Sequence, residues 1–295
     1  MIAISDEIEL IDGAYSARIA PRFGASILSF KKNGDDILRP GSIEDVRADP
    51  RNAACFPCVP YFGRLIGGLS FHGSHWPLDP NLAICDPDHA LHGEGWIAPW
   101  SIIDQDTRKL TCSFTHQPNQ SGRFPFAFEA QQNFLLTGNG LNITLRLTNT
   151  GPVPMPAGLG LHPFFQRRDT TRLSFLADKL WTPPDQKSRG HITDLPDPLG
   201  QLRNAALPDE TRDHSYLGWG GQSEIHRKLA PSKLDPIIIQ SDAPFLHIYA
   251  PADESYFCLE PITHLPGQLT DTKQNTRAHA LEPANSISLS MTITG

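Results

Sequence analysis

No run of lysine or arginine, no internal repeat and no long apolar segment occurs in these 295 residues. Twenty-five basic side chains stand against 32 acidic ones, for a formal net charge of −7. A chain without basic clusters is a poor match for nucleic acid or an anionic membrane surface. Nothing approaches the roughly 20 consecutive apolar residues of a spanning helix, so no membrane partner is expected. Cysteine is scarce: Cys55, Cys58, Cys85, Cys112 and Cys258 are an odd number scattered through apolar contexts. Met1 to Leu10 carries acids where a secretory leader would be basic and then apolar, and both features predict a reducing, cytoplasmic setting. Cys55-Phe56-Pro57-Cys58 matches C-x-x-C, but no second such pair and no helix-like stretch accompanies it. Buried thiols are therefore expected rather than a redox or zinc site. The partner that remains is small and neutral.

Room for long helices is also lacking, because 27 prolines and 23 glycines punctuate the chain. Between the breaks the pattern has period two. Leu141, Ile143, Leu145 and Leu147 alternate with polar residues over Leu141–Thr148, and Ile287, Leu289, Met291 and Ile293 do so over Ser286–Thr294. Further strands are expected at Ala25–Phe30, Leu110–Phe114, Phe126–Leu136, Pro236–Gln240, Phe245–Tyr249 and Tyr256–Glu260. The polar, proline-rich stretch Pro183 to Leu207 reads as a long surface excursion. The prediction is an all-β chain of stacked antiparallel sheets, with residues 1–295 forming one domain, since large sandwiches commonly exceed 200 residues.

Three segments carry chemistry. In Gly158-Leu159-Gly160-Leu161-His162-Pro163, alternation sets the leucines on one face and the glycines with His162 on the other. Glycine in a strand marks a close approach, and proline is disfavoured mid-sheet, so His162 is expected at a strand end beside a bare floor for a flat ligand. His89-Ala90-Leu91-His92-Gly93-Glu94-Gly95-Trp96 gathers two histidines, a carboxylate and an indole in one loop. Phe257-Cys258-Leu259-Glu260-Pro261 places Glu260 at the last position of an apolar strand, away from the Phe257 and Leu259 face, before a proline expected to stop the ladder. On residue type alone Glu260 reads equally as a catalytic carboxylate and as a solvated cap on a sheet edge. His162 likewise has the plainer reading of a ring bonded to a loop carbonyl. His89 reads as structural and Glu94 as a surface acid. His89 and His92 have no third ligand at a metal-site spacing, so no metal is expected.

Together with Pro60-Tyr61-Phe62-Gly63-Arg64 and Asp213-His214-Ser215-Tyr216-Leu217-Gly218-Trp219, these segments resemble the aldose 1-epimerase (galactose mutarotase) family over nearly the whole chain. Gly63 stands where that family usually has asparagine. The resemblance implies the large sugar-binding β-sandwich of the mutarotases and acid/base interconversion of α and β anomers of a free aldohexose, with no cofactor. It implies Glu260 as general base at the C1 hydroxyl, His162 as general acid at the ring oxygen, and His92 steadying charge near that oxygen. Arg64 and Asp213 would bind sugar hydroxyls. Trp96, Tyr61, Phe164 and Trp219 would offer apolar rings, although core packing is the default for aromatics. His264 and Gln268 would line the rim or decorate a loop. Two rivals stand beside this reading. A hexose-6-phosphate mutarotase would need added cations, for which Arg64, Arg123, Arg167 and Arg168 are the candidates. A non-catalytic sugar-binding module would keep the fold alone. Sequence does not set the oligomeric state.

Overall fold

The computed structural model describes residues 6–183, 190–195, 201–207, 209–227, 236–267, 269 and 279–295. Its two large sheets are antiparallel throughout. The first runs, in spatial order, Ile8–Asp12, Tyr15–Ala20, Ser26–Lys32, Cys55–Cys58, Gly160–Gln166, Tyr256–Ile262, Phe245–Ala250, Arg212–Leu217, Lys179–Thr182 and His191–Asp194. The second runs Ser101–Gln105, Lys109–His116, Phe128–Thr137, Gly140–Asn149, Ser286–Thr294, Ile237–Ser241, Gln222–His226, Arg172–Leu176 and Gln201–Ala206.

The clearest alternating stretch forms Gly140–Asn149, between Phe128–Thr137 and Ser286–Thr294. Its four expected inward residues, Leu141, Ile143, Leu145 and Leu147, are fully buried. Leu161, Phe165, Phe257, Leu259, Leu246 and Ile248 of the first sheet meet Phe134, Leu145, Ile239 and Met291 of the second in one core. This is the all-β sandwich that the patterning predicts.

The first sheet is also covered on its other face. Phe56, Cys58, Phe164, Phe245, Cys258 and Ile262 form a second cluster there, roofed by Phe62, Leu91 and Trp96 from loops. Burial on both faces explains why Gly160–Gln166 and Tyr256–Ile262 read as almost unbroken apolar strands. Cys55 belongs to the inner core and Cys58 to the outer cluster, as alternation demands, so the two thiols cannot ligate one metal or join.

Two expectations change. The stretch from Pro183 to Leu207 is no plain excursion: His191–Asp194 and Gln201–Ala206 each add an edge strand, one to each sheet. The glycine face is not bare either. A Cβ on Gly158 would lie 1.9 Å from the His264 ring, and one on Gly160 would lie 2.8 Å from Phe62. The close approach that glycine signals is made by the protein's own rings. His264 is fully buried, taking the Phe62 N–H at Nε2 3.0 Å away, so it is a brace and not part of the rim. Gln268 lies outside the described residues. Gly158→Ala is expected to destabilise the fold by about 2 kcal/mol through overpacking. Thermal unfolding checks this, and an unchanged midpoint would mean that the His264 ring can move aside.

Candidate active site

Pro163 and Pro261 both lie inside strands, against the expectation that each would end one. The ladder between their strands joins Gly160 to Ile262 and resumes at Phe164 with Cys258. That register sets His162 opposite Glu260, with Pro163 facing Leu259 and Pro261 facing Leu161. Neither proline has an N–H to donate, so the two misfits, set diagonally across the strand pair, leave one breach in the hydrogen-bond ladder in the middle of the sheet. On their outer sides both strands stay paired, Gly160–Pro163 with Cys55–Cys58 and Phe257–Ile262 with Phe245–Tyr249.

His162 and Glu260 look out of this breach into a cavity of about 750 Å³, within the usual size of small-ligand sites. His162 Nε2 is 3.4 Å from Glu260 Oε2. The two do not face each other across the hollow. They are neighbours on its floor, because they sit opposite in adjacent strands. Glu260 is fully buried, and neither of its carboxyl oxygens has a hydrogen-bond partner among the described residues. Burial, reinforced by the Asp213 charge, pushes its carboxyl well above the usual range. Burial and then the nearby His247 lower His162 to about 3. Its ring stacks on Phe164, with centroids 4.7 Å apart, and packs on Phe56 at 4.4 Å.

His92 forms the next wall, edge-on to His162 at 5.3 Å. Its φ of +56° and the +73° of Gly93 make the turn that brings it there. Its Nδ1 accepts the Gly63 N–H at 3.1 Å, so the neutral ring carries its proton on Nε2. Burial, then His162, lowers the His92 pKa well below the usual value. Gly63 itself is left-handed at φ +79°, and a Cβ there would touch Pro266 at 3.0 Å. The backbone donor of that turn is kept, and Pro266 closes the space beside it.

The remaining expected residues divide. Arg64, Asp213, Phe164 and His89 line the cavity. Arg64 ion-pairs with Asp86, which also accepts from the Asp88 and His89 N–H groups and so shapes the turn. Trp96 also lines the cavity, edge-on to His92 and almost wholly buried at 1 % exposure, with its N–H committed to the Leu91 carbonyl. Tyr61 and Trp219 are in the inner core, not at the cavity, because Tyr61 points opposite to its neighbour Phe62, which does line it. Glu94 is no surface acid: its side chain is 14 % exposed and faces Arg123 at 3.9 Å. Arg123, Arg167 and Arg168 are not among the residues lining the cavity.

Sequence reasoning missed His247, Tyr249, Tyr256, Asp86 and Arg51, all of which line the cavity. His247 pairs directly with Glu260 in the sheet register. The available signal was a single titratable ring within the otherwise apolar strand Phe245–Tyr249. Among the described residues, His162, Cys258 and Glu260 bring metal-ligand atoms within 4.8 Å of one another. Burial, with the Glu260 charge, raises the Cys258 thiol, so it presents a neutral S–H there.

Residues 6–294 match the family described as aldose 1-epimerase. The uncharacterized protein YphB of Escherichia coli K12 is 31 % identical over 254 residues, covering 82 % of this chain and 83 % of that protein. A solved structure from the same organism, described provisionally as an aldose 1-epimerase, is 29 % identical and covers 98 % of both chains with a TM-score of 0.85. A galactose mutarotase-like protein of Clostridium acetobutylicum shares the fold, at 20 % identity, TM-score 0.80 and coverage of 97 % of this chain and 94 % of that one. With a histidine–carboxylate pair on the floor of a sugar-sized cavity and this likeness from end to end, the chain belongs to the aldose 1-epimerase family.

Proposed function

We propose that this protein is a mutarotase that interconverts the α and β anomers of a free aldohexose. The observation that carries the reading is the 3.4 Å approach of His162 to a fully buried Glu260 at the cavity floor, whose carboxyl has no hydrogen-bond partner among the described residues. The hydroxyl oxygen and the ring oxygen of a pyranose are both bonded to C1, so an acid and a base side by side can serve both. Glu260 as carboxylate takes the C1 hydroxyl proton while the C1–O5 bond breaks. Its electron pair goes to O5, which takes a proton from the His162 imidazolium. The open aldehyde turns about C1–C2, and the steps reverse on the other face. Burial raises the carboxyl and lowers the imidazole, so the pair's one proton rests on Glu260 and crosses the 3.4 Å to His162 Nε2 to give the carboxylate–imidazolium form that reacts. The His92 Nε2–H steadies charge near the ring oxygen. Arg64 and Asp213 hold hydroxyls farther round the ring, and Phe164 and Trp96 back the apolar side.

The charge around the cavity favours an uncharged sugar over a phosphorylated one. Arg51 and Arg64 line it, but Asp49 and Asp86 pair with them, and Asp88 and Asp213 add further acids. Polarimetry on fresh α-D-glucose and α-D-galactose is expected to show mutarotation well above the buffer rate, with a lower kcat/KM for glucose 6-phosphate. A rate equal to buffer for every aldose tried would end the reading. Preference for the phosphate ester would replace the free sugar as substrate.

A further inference from the structure

His247 is buried between two possible partners, opposite Glu260 on one neighbouring strand and opposite Ser215 on the other. Its ring nitrogens are both taken, and neither goes to Glu260. Nδ1 lies 2.8 Å from Ser215 Oγ and Nε2 lies 3.0 Å from Asp213 Oδ1. Burial alone would raise the Asp213 carboxyl, but the His247 hydrogen bond and neighbouring charge outweigh it and hold the pKa below the usual value. An ionised carboxylate only accepts, so Nε2 donates its N–H to Asp213, and Nδ1 is held by Ser215 Oγ on the other side. Ser215 is fully buried, which rules it out as a nucleophile facing the cavity. The arrangement leads outward instead, to a side chain 44 % exposed at the cavity wall: Asp213.

We propose that the chain Ser215–His247–Asp213 is the substrate-recognition device of this site. It fixes one Asp213 oxygen so that Oδ2 accepts a hydrogen bond from a sugar hydroxyl remote from C1, and it turns the His247 N–H away from Glu260. This deepens the mutarotase reading and rests on it. Two features support it. The Asp213 strand is second from the Glu260 strand, and strands lie about 4.8 Å apart, so their backbones are about 10 Å apart and the two carboxylates serve different parts of one ring. Glu260 also has no hydrogen bond among the described residues although His247 stands directly beside it in the register, which keeps its basicity high. His247 is thus a positioning residue whose effect falls on substrate affinity.

The test compares His247→Phe, His247→Asn, His247→Gln, Asp213→Ala and the His247→Phe/Asp213→Ala double variant. Each is measured by mutarotation kinetics and by calorimetric binding of D-galactose and D-glucose. Loss of one charge-assisted hydrogen bond should raise KM and Kd about tenfold in His247→Phe, with kcat within about threefold of wild type. His247→Asn, which can reach Ser215 but not Asp213, should lose as much. His247→Gln, whose longer amide N–H reaches Asp213, should recover most of the affinity, and this polar pair decides the matter if the Phe variant does not fold. The double variant should bind no worse than Asp213→Ala alone. A fall in kcat at unchanged KM, equal losses in Asn and Gln variants, or additive losses would overturn the proposal. Calorimetry reads the coupling without turnover. A wild type that binds aldose without interconverting anomers would therefore sink the mutarotase reading alone, and one that binds no aldose would overturn both.

Discussion

Glu260→Gln is expected to lower kcat by about 10³-fold, inside the 10²–10⁴-fold that general acid–base groups contribute, without loss of fold. Glutamine has nearly the volume and shape of the acid it replaces, so the packing of the floor is preserved. What disappears is the one group on that floor able to take the C1 hydroxyl proton. Thermal stability separates this from damage. A carboxyl whose folded pKa is raised gives its full stability below its unfolded pKa, and that contribution is lost as pH rises through the folded value. Near neutral pH the wild type therefore pays for burying this acid, and the glutamine variant does not. Its midpoint should equal or exceed that of wild type at pH 7, with the advantage shrinking toward pH 4. Retained mutarotation in a folded Glu260→Gln protein would remove Glu260 from the chemistry.

His162→Asn should cost about 10²-fold in kcat, with KM changed far less. Its structural price is larger than that at Glu260, because the imidazole packs against Phe56 and Phe164. A shorter amide leaves part of that space empty, for a loss of about 1–2 kcal/mol. The pH profile of wild-type kcat/KM tests the pairing itself. Only the form with a single mobile proton is active, so activity should rise through an acid step near the His162 value of about 3. It should decline through an alkaline step set by the raised carboxyl of Glu260. Both steps belong to the coupled pair, and the acid-side limb is lost in His162→Asn. Equal kcat in wild type and this variant would exclude His162 as the acid.

Much of the architecture was legible because half-buried strands print their alternation directly, as Leu141–Thr148 and Ser286–Thr294 do. Gly158 and Gly160 also correctly signalled that something comes close. Which group comes close was not legible, since Phe62 and His264 arrive from distant parts of the chain. Pro163 and Pro261 were misread for a related reason. The rule against proline in a central strand considers one strand at a time, whereas here the two prolines fall in facing stretches of neighbouring strands and each removes the donor the other strand would need. Register between segments nearly a hundred residues apart is set by packing on both sheet faces, and a single sequence does not display it. His247 stayed hidden because one histidine in an apolar strand looks like core until its neighbours are known. Tyr61 was assigned to the cavity by resemblance alone, because alternation in an irregular turn cannot be phased from sequence, and Phe62 takes that place.

The breach between the Pro163 and Pro261 strands has a consequence for the cost of binding. A gap flanked by residues that cannot donate does not zip closed when the cavity holds only solvent. The floor is preorganised: an arriving sugar has no strand to pry apart, and its contacts go into affinity and orientation instead of rearrangement. Because both strands keep their outer ladders intact, the floor holds its shape while sugars come and go in the cavity above it.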